Sequence, residues 1–348
     1  MSLPASSGYV DLARGLQARS GTTLSALGKV DAVIFDVDGV LVEVSESFRM
    51  VISRTVQFYF NQILGIPGEK RFITGEETGH FKLAGRYNND WDLAKGAVAY
   101  GLLKLAGLNG SGAVDTARLR LASPGLEDFS AEIKRRGGGL AETLKIIAEK
   151  LNAGQYREFE LRYRPDLIRQ IFMEYYAGPS LCRDFYGFEP QYYRGPGLIE
   201  KERDILDHSL VRELSACGVT FGILSGRIPT EAEYLFRKTG LKHCLNPEFV
   251  VTDDGHLPAK PDPAGLGRLA ERMGFRGAIY VGDVPDDWAT VTAYAARYPE
   301  GPPVAGCLVR TGATSKELMS AFYEKSAVDF LAEDVNCLLS ALLAVRRG

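Results

Sequence analysis

Two aspartates, Asp36 and Asp38, stand at the end of the apolar run in "AVIFDVDGVL", and no basic residue is adjacent to either of them. Residues i and i+2 of an extended chain point to the same side, so both carboxylates face one direction. Two carboxylates in different environments can divide the roles of nucleophile and general acid/base. The spacing predicts Asp36 as the nucleophile and Asp38 as the acid/base residue.

Three downstream segments also place polar residues at or just after an apolar run. The segments are "FGILSGR", "PAKPDP" and "AIYVGDVPDD". In a parallel sheet, ligands bind beyond the carboxyl ends of the strands. We therefore expect the polar residues of these segments to meet the first acidic pair; they are Ser225, Gly226, Lys260, Asp283 and Asp287.

The order of strand and helix patterns predicts an α/β protein with a doubly wound parallel sheet. After "RGPGLIEKERDIL" helical and strand-like segments alternate, which is typical of βαβ units. The first apolar strand has no partner nearby, so it should join this later sheet. We predict a catalytic core of residues 29–45 and 196–348, an inserted, mainly helical cap of residues 46–195, and an N-terminal extension of residues 1–28.

Converging carboxylates require a cation. At a separation of 4 Å and an effective dielectric constant of 20, each pair of carboxylates costs about 4 kcal/mol. One lysine cannot offset several such pairs, whereas Mg²⁺ is the usual oxygen-bound cation where phosphate is also present. The predicted metal ligands are the carboxylates of Asp36 and Asp283 and the carbonyl oxygen of Asp38, with Asp287 acting directly or through water.

A lysine and Mg²⁺ beside a nucleophilic carboxylate indicate phosphoryl transfer. Asp36 would attack phosphorus to form an aspartyl phosphate, and Asp38 would protonate the leaving oxygen and later activate water. Ser225 and the amide of Gly226 are suited to bind phosphate oxygens. Lys260 would neutralise charge on the transferred group.

The four segments together resemble the haloacid dehalogenase (HAD) superfamily, subfamily IA, whose cap is inserted after the first motif. "DVDGVL", "ILSGR", "AKPDP" and "GDVPDD" are similar to its motifs I to IV, over residues 30–45 and about 200–335. The resemblance implies a Rossmann-like core, Mg²⁺ and an aspartyl-phosphate mechanism. The core is similar to that of phosphoglycolate phosphatases, whereas the helical cap is longer than their C1 cap. The roles carry over to Asp36, Asp38, Ser225, Lys260, Asp283 and Asp287.

One segment of the cap, "GRYNNDWDL", could contact the leaving group of the substrate. Arg86 is the substrate-binding candidate there, with Asn88 and Asn89 as alternatives. The other interpretation is structural, with Asn89 or Asp90 capping the helix that follows. The cap is expected to close over the substrate and exclude water.

Composition narrows the classes of function. A net charge of −3 over 348 residues does not favour nucleic-acid binding, and no apolar run reaches the length of a membrane helix. Five scattered cysteines are typical of free thiols in a reducing compartment, so we predict a cytoplasmic protein. We expect a monomer or a homodimer. The predicted activity is hydrolysis of a small phosphorylated metabolite. The alternatives are a phosphomutase and a non-catalytic regulatory or scaffold protein.

Overall fold

A computed structural model of the chain describes residues 8–22, 24–87, 89–108, 112–312 and 328–348. The chain divides into two compact units. The first unit combines Met1–Val44 with Arg203–Gly348, and the second is the continuous segment Ser45–Glu202.

The first unit is built on an eight-stranded sheet, and a separate two-stranded ribbon joins β4 to β5. The strands are β1 (Tyr9–Ala13), β2 (Leu16–Arg19), β3 (Ala32–Phe35), β4 (Val42–Glu43), β5 (Arg203–Asp204), β6 (Thr220–Leu224), β7 (Val250–Val251), β8 (Ala278–Gly282), β9 (Val304–Val309) and β10 (Phe330–Ala332). Across the large sheet the order is β1-β2-β10-β9-β8-β3-β6-β7. Every pair from β10 to β7 is parallel, which confirms the predicted fold class.

Helices flank this sheet and make up the second unit. In chain order they are α1 (Leu24–Leu27), α2 (Phe48–Phe58), α3 (Gly79–Ala84), α4 (Asp90–Gly107), α5 (Thr116–Leu121), α6 (Leu126–Arg135), α7 (Gly139–Lys150), α8 (Ala153–Arg162), α9 (Pro165–Tyr186), α10 (His208–Ala216), α11 (Pro229–Thr239), α12 (Ala264–Met273), α13 (Pro285–Arg297) and α14 (Val335–Arg347). Among the described residues, no helix combines the length and apolar character that crossing a membrane requires.

Strand β3 is buried on both faces, which explains its unbroken apolar sequence. Val33 and Phe35 pack in the cluster that contains residues of α10, α11 and α14. Ala32 and Ile34 pack in a second cluster with residues of α12 and α13. A strand covered by helices on both sides has no solvent face and therefore shows no alternation of apolar and polar residues.

The second unit contains no strand within its described residues. Its helix α4 is buried along most of its length, with contacts to α2, α7 and α9. Helix α9 is kinked at Gly178, whose φ is +64°, directly before Pro179. A Cβ on Gly178 would lie 2.3 Å from the amide nitrogen of Gly197, so only glycine allows this close approach of two backbones.

The segment predicted as an N-terminal extension contributes two strands to the sheet. β1 and β2 form an antiparallel hairpin, and β2 pairs with β10. Leu16 and Ala18 of β2 are fully buried. The partner strand lies some 300 residues later in the chain, so no local pattern could reveal this pairing.

The burial of the hairpin predicts how substitutions in it change the free energy of unfolding. Leu16→Ala should lower the free energy of unfolding of the first unit by about 2–5 kcal/mol, because it removes a fully buried side chain and leaves a cavity. Val10→Ala, at a position 43% exposed on the same hairpin, should cost less than about 1 kcal/mol. Urea unfolding measures both, and equal effects would show that the hairpin is not part of the core.

Candidate active site

The carboxyl ends of three parallel strands lie side by side, because β3 is placed between β8 and β6. Asp36 follows β3, Ser225 follows β6 and Asp283 follows β8. The amide of Asp36 donates to the carbonyl oxygen of Val281, at 2.8 Å, so the first acidic pair is aligned with the end of β8. The sheet order thus brings together residues that are far apart in the sequence.

Three of the predicted residues form a buried carboxylate triad: Asp36, Asp283 and Asp287. One oxygen from each lies within 4.8 Å of the others, and the residues are 6%, 4% and 1% exposed. Asp287 lies in the first turn of α13, where its Oδ2 accepts the amides of Asp283 (2.9 Å) and Val284 (3.1 Å). These two hydrogen bonds hold the carboxylate of Asp287 against the backbone of Asp283, which carries another carboxylate of the triad.

Lys260 links two members of the triad. Its Nζ lies 3.0 Å from Oδ1 of Asp36 and 2.7 Å from Oδ1 of Asp287. Burial alone would lower the pKa of the lysine, but the nearby carboxylates of Asp287 and Asp36 outweigh it and raise the pKa well above its usual value. Lys260 therefore remains a cation in the site.

The carboxyl group of Asp36 has a raised pKa of about 7. Burial is the largest cause, and the charges of Asp287 and Asp38 act in the same direction, while Lys260 partly opposes them. A single lysine therefore does not make the ionised form of Asp36 as stable as it is in water.

The triad has the donor set of a site for a hard divalent cation. At a separation of 4.8 Å and an effective dielectric constant of 20, each pair of charged carboxylates repels by about 3–4 kcal/mol. A cation bound by oxygen atoms of all three removes this repulsion. The three residues that could hold such an ion are Asp36, Asp283 and Asp287.

The carboxylate of Asp38 lies outside this triad and binds Arg227 instead. Nε and one terminal nitrogen of Arg227 donate to Oδ1 of Asp38, at 2.9 and 2.5 Å. The guanidinium is buried, whereas the side chain of Asp38 is 29% exposed. The predicted metal ligand of Asp38 is its backbone carbonyl oxygen and not this carboxylate. That role stays a prediction.

Arg227 also organises the end of β6. Its amide donates to Oγ of Ser225 at 3.2 Å, and its carbonyl oxygen accepts the amide of Asp253 at 2.8 Å. Ser225 is buried and Gly226 is exposed, which leaves the Gly226 backbone accessible at the strand end. Arg227 has no predicted role, although it ends the "FGILSGR" segment.

Tyr280 is a second site residue without a predicted role. Its hydroxyl donates to Oδ1 of Asp287 at 2.9 Å and accepts from Nζ of Lys260 at 3.3 Å. The sequence signal was a single hydroxyl-bearing residue within the apolar run "AIYVG". Through these two hydrogen bonds, Tyr280 links the ammonium of Lys260 to the carboxylate of Asp287.

Two glycines leave room for the triad. A Cβ on Gly39, whose φ is +76°, would lie 2.6 Å from Oδ2 of Asp283 and 2.4 Å from Cα of Gly312. A Cβ on Gly312 would lie 1.8 Å from the same oxygen. The turn after Asp38 therefore requires glycine both for its backbone conformation and for the space beside Asp283.

The predicted cap residue Arg86 belongs to the second unit. It is exposed and has a positive φ of 58°. Helix α4 begins at Asp90, with Asn89 at the N-cap position but without a side-chain capping bond. Asn88 lies outside the described residues. The substrate-binding role of Arg86 stays a prediction.

The raised pKa of Asp36 predicts pH-dependent cation binding. Because the folded pKa of about 7 exceeds the ordinary value of 3.8, the ion-free fold retains a proton that the unfolded chain has lost, and stability falls as pH rises through this range. A divalent cation must displace that proton below pH 7. Mg²⁺ should bind roughly 30-fold more weakly at pH 5.5 than at pH 8, as measured by calorimetry.

Asp36→Asn provides the control for this prediction, because it removes the titrating carboxyl. The variant should bind Mg²⁺ weakly and with little dependence on pH. Equal affinities of the unaltered protein at pH 5.5 and pH 8 would contradict a role for Asp36 in holding the ion.

Comparisons of the sequence with known proteins match part of this chain. A family model described as haloacid dehalogenase-like hydrolase matches residues 186–290. A curated relative, imidazoleglycerol-phosphate dehydratase of Phytophthora nicotianae, is 33% identical over 117 residues. That match covers 34% of this chain, and it spans only about a fifth (20%) of the relative's length.

Solved structures share the fold of this chain. The phosphatase Tt82 from Thermococcus thioreducens superposes with a TM-score of 0.55 at 22% identity, covering 90% of this chain and 99% of its own. A structural genomics target superposes with a TM-score of 0.56 at 17% identity, covering 90% and 98%. Residues 186–290 of this chain are thus similar to haloacid dehalogenase-like hydrolases, and the parallel sheet of the first unit has the fold of these solved structures.

Proposed function

We propose that the protein is a Mg²⁺-dependent phosphatase that hydrolyses a small phosphorylated metabolite through an aspartyl phosphate at Asp36. The observation that carries this proposal is the placement of the "DVD" aspartates in two different environments. Asp36 is buried against Lys260, at 3.0 Å, while Asp38 is partly exposed and bound by Arg227. In the proposed reaction, Asp36 would act as the nucleophile and Asp38 as the proton carrier.

The carboxylates of Asp36, Asp283 and Asp287 would hold the magnesium ion. Mg²⁺ in this site would offset the negative charge that a phosphate group brings to three carboxylates. Lys260 supplies a fixed positive charge on the same side, because Asp287 and Tyr280 hold its ammonium group in place. The site can therefore accept an anion despite its own acidic residues.

The first half of the reaction transfers the phosphoryl group to the protein. An oxygen of Asp36 forms a bond to phosphorus while the bond from phosphorus to the leaving oxygen breaks. Asp38 gives a proton to that oxygen, so the product leaves as an alcohol. Ser225 and the amide of Gly226 would bind phosphate oxygens, and Lys260 would neutralise their charge.

The second half releases inorganic phosphate. Asp38, now a carboxylate, accepts a proton from a water molecule whose oxygen attacks phosphorus. The bond from phosphorus to Asp36 breaks, and both aspartates return to their starting states. The leaving group distinguishes one phosphorylated metabolite from another. Arg86 remains the proposed contact of that group.

Nucleophilic catalysis by Asp36 has a direct test. Hydrolysis of p-nitrophenyl phosphate should require Mg²⁺, and Asp36→Asn should lower kcat at least about 1,000-fold because an amide does not form the intermediate. Asp184→Asn, an exposed residue of α9, is the matched control and should leave kcat unchanged. Phosphate release by Asp36→Asn at the original rate would refute the proposal. Isomerisation of a sugar phosphate without phosphate release would instead favour a phosphomutase.

The contact from Arg227 to Asp38 predicts an effect that depends on the leaving group. Arg227→Met should lower kcat by about 10–100-fold on alkyl phosphates, because it removes the two hydrogen bonds that position Asp38 for proton transfer to the leaving oxygen. The loss on p-nitrophenyl phosphate should be smaller, because that leaving group departs as an anion. Arg227→Lys should restore part of the activity through its charge.

The exposed Arg237 of α11 provides the control for this variant. Arg237→Met should behave as the unaltered protein with both substrates. If Arg227→Met loses the same factor on alkyl and p-nitrophenyl phosphates, its role is structural and it does not position Asp38.

A further inference from the structure

The segment that follows strand β9 contacts the turn that follows Asp38. Oγ1 of Thr311 donates to the carbonyl oxygen of Gly39 at 2.5 Å, and the two residues are 272 positions apart in the chain. In the sheet, β8 lies between β9 and β3, so the segment must pass beyond the carboxyl end of β8 to reach this turn. Thr311 has no predicted role, although it binds the turn that begins at Asp36.

The sheet holds Thr311 in place. β9 pairs with β8 on one side and with β10 on the other. The amide of Arg310 donates to the carbonyl oxygen of Ala332 at 3.2 Å, which extends the pairing with β10 to the residue before Thr311. The next residue, Gly312, lies against Asp283, because a Cβ there would be 1.8 Å from Oδ2. The hydroxyl of Thr311 is therefore carried by a rigid part of the first unit.

The bond to Thr311 links the turn to a separate strand end. Gly39 has a positive φ of 76°, and its amide donates to the carbonyl oxygen of Val42 at 2.8 Å, which closes the turn on itself. Its buried carbonyl oxygen accepts the hydroxyl of Thr311. Because Gly39 directly follows Asp38, this second bond restrains the backbone that carries the Asp38 carboxylate.

Asp38 is thus held from two sides of its own strand. Arg227, after β6, binds its carboxylate, and Thr311, after β9, binds the carbonyl oxygen of the following residue. β6 and β9 lie on opposite sides of β3. A proton carrier must lie within hydrogen-bond distance of the leaving oxygen, and a misplacement of about 1 Å can lower a rate by about 100-fold.

We propose that Thr311 is a positioning residue for proton transfer by Asp38. Its hydroxyl would hold the turn so that the Asp38 carboxylate meets the leaving oxygen, and it would contact neither the substrate nor a metal ion. This role rests on the phosphatase reaction proposed above. The alternative is a purely structural role, in which the hydroxyl only satisfies the buried carbonyl oxygen of Gly39.

Two substitutions separate the hydroxyl of Thr311 from its methyl group. Thr311→Val removes the hydroxyl with little change of shape and should lower kcat on phenyl phosphate about 5–10-fold, with KM within about twofold. The loss on p-nitrophenyl phosphate should be smaller, because its leaving group departs as an anion without a proton. Thr311→Ser keeps the hydroxyl and should retain the activity of the unaltered protein with both substrates.

Thr239 of α11 provides the matched control, because its hydroxyl also donates to a backbone carbonyl oxygen, that of Leu235, at 2.9 Å. Thr239→Val should change kcat with neither substrate. A double-substitution cycle then tests whether Thr311 acts through Asp38. In the Asp38→Asn background there is no proton carrier to position, so Thr311→Val should cause no further loss of kcat on phenyl phosphate.

Three results would overturn the proposal in favour of the structural role. They are an equal loss of kcat on the two aryl phosphates, the same loss with and without Asp38, and a Thr311→Ser variant as impaired as Thr311→Val. Full activity of Thr311→Val beside an inactive Asp36→Asn variant would refute this inference alone. If the unaltered protein releases no phosphate, the proposed function fails, and this role fails with it.

Discussion

Burial of three carboxylates around one lysine is the constraint on which the first unit depends. Asp36, Asp283 and Asp287 are almost excluded from water, and Lys260 contacts two of them. Such an arrangement is unfavourable for an ion-free protein, as the raised pKa of Asp36 indicates. The arrangement is compatible with a bound cation at the ends of the central strands, because a positive charge there would offset the repulsion between the carboxylates.

The neighbouring pair formed by Arg227 and Asp38 gives the two aspartates of "DVD" separate environments. The chain directions place both side chains near the same sheet edge, yet one joins the carboxylate triad and the other an arginine from the adjacent strand end. Because the arginine is buried and makes two bonds to one oxygen, the position of Asp38 is set by β6 rather than by its own strand. The proposed division of chemical roles between the two aspartates would then follow from sheet order.

The helical unit has a polar centre of its own. Lys104, Glu77 and Arg120 lie between helices whose other contacts are largely aromatic. The family match ends at residue 290 and begins at residue 186, so nearly all of this unit lies outside it. Lys104 has a structural role in this unit, because its ammonium donates to the carbonyl oxygen of Arg120 and to the hydroxyl of Tyr100 and lies over the Tyr100 ring.

The sequence alone determined the fold class and the strand-end segments, because alternation of helix and strand and polar residues at strand ends are local properties of the chain. It did not determine the partners of those residues. The hairpin of Leu16 and Ala18, the contact of Tyr280 with Lys260, and the pairing of Arg227 with Asp38 all join residues from separate elements. Only the tertiary structure decided these contacts, since they depend on which strands are adjacent and which side chains are buried together.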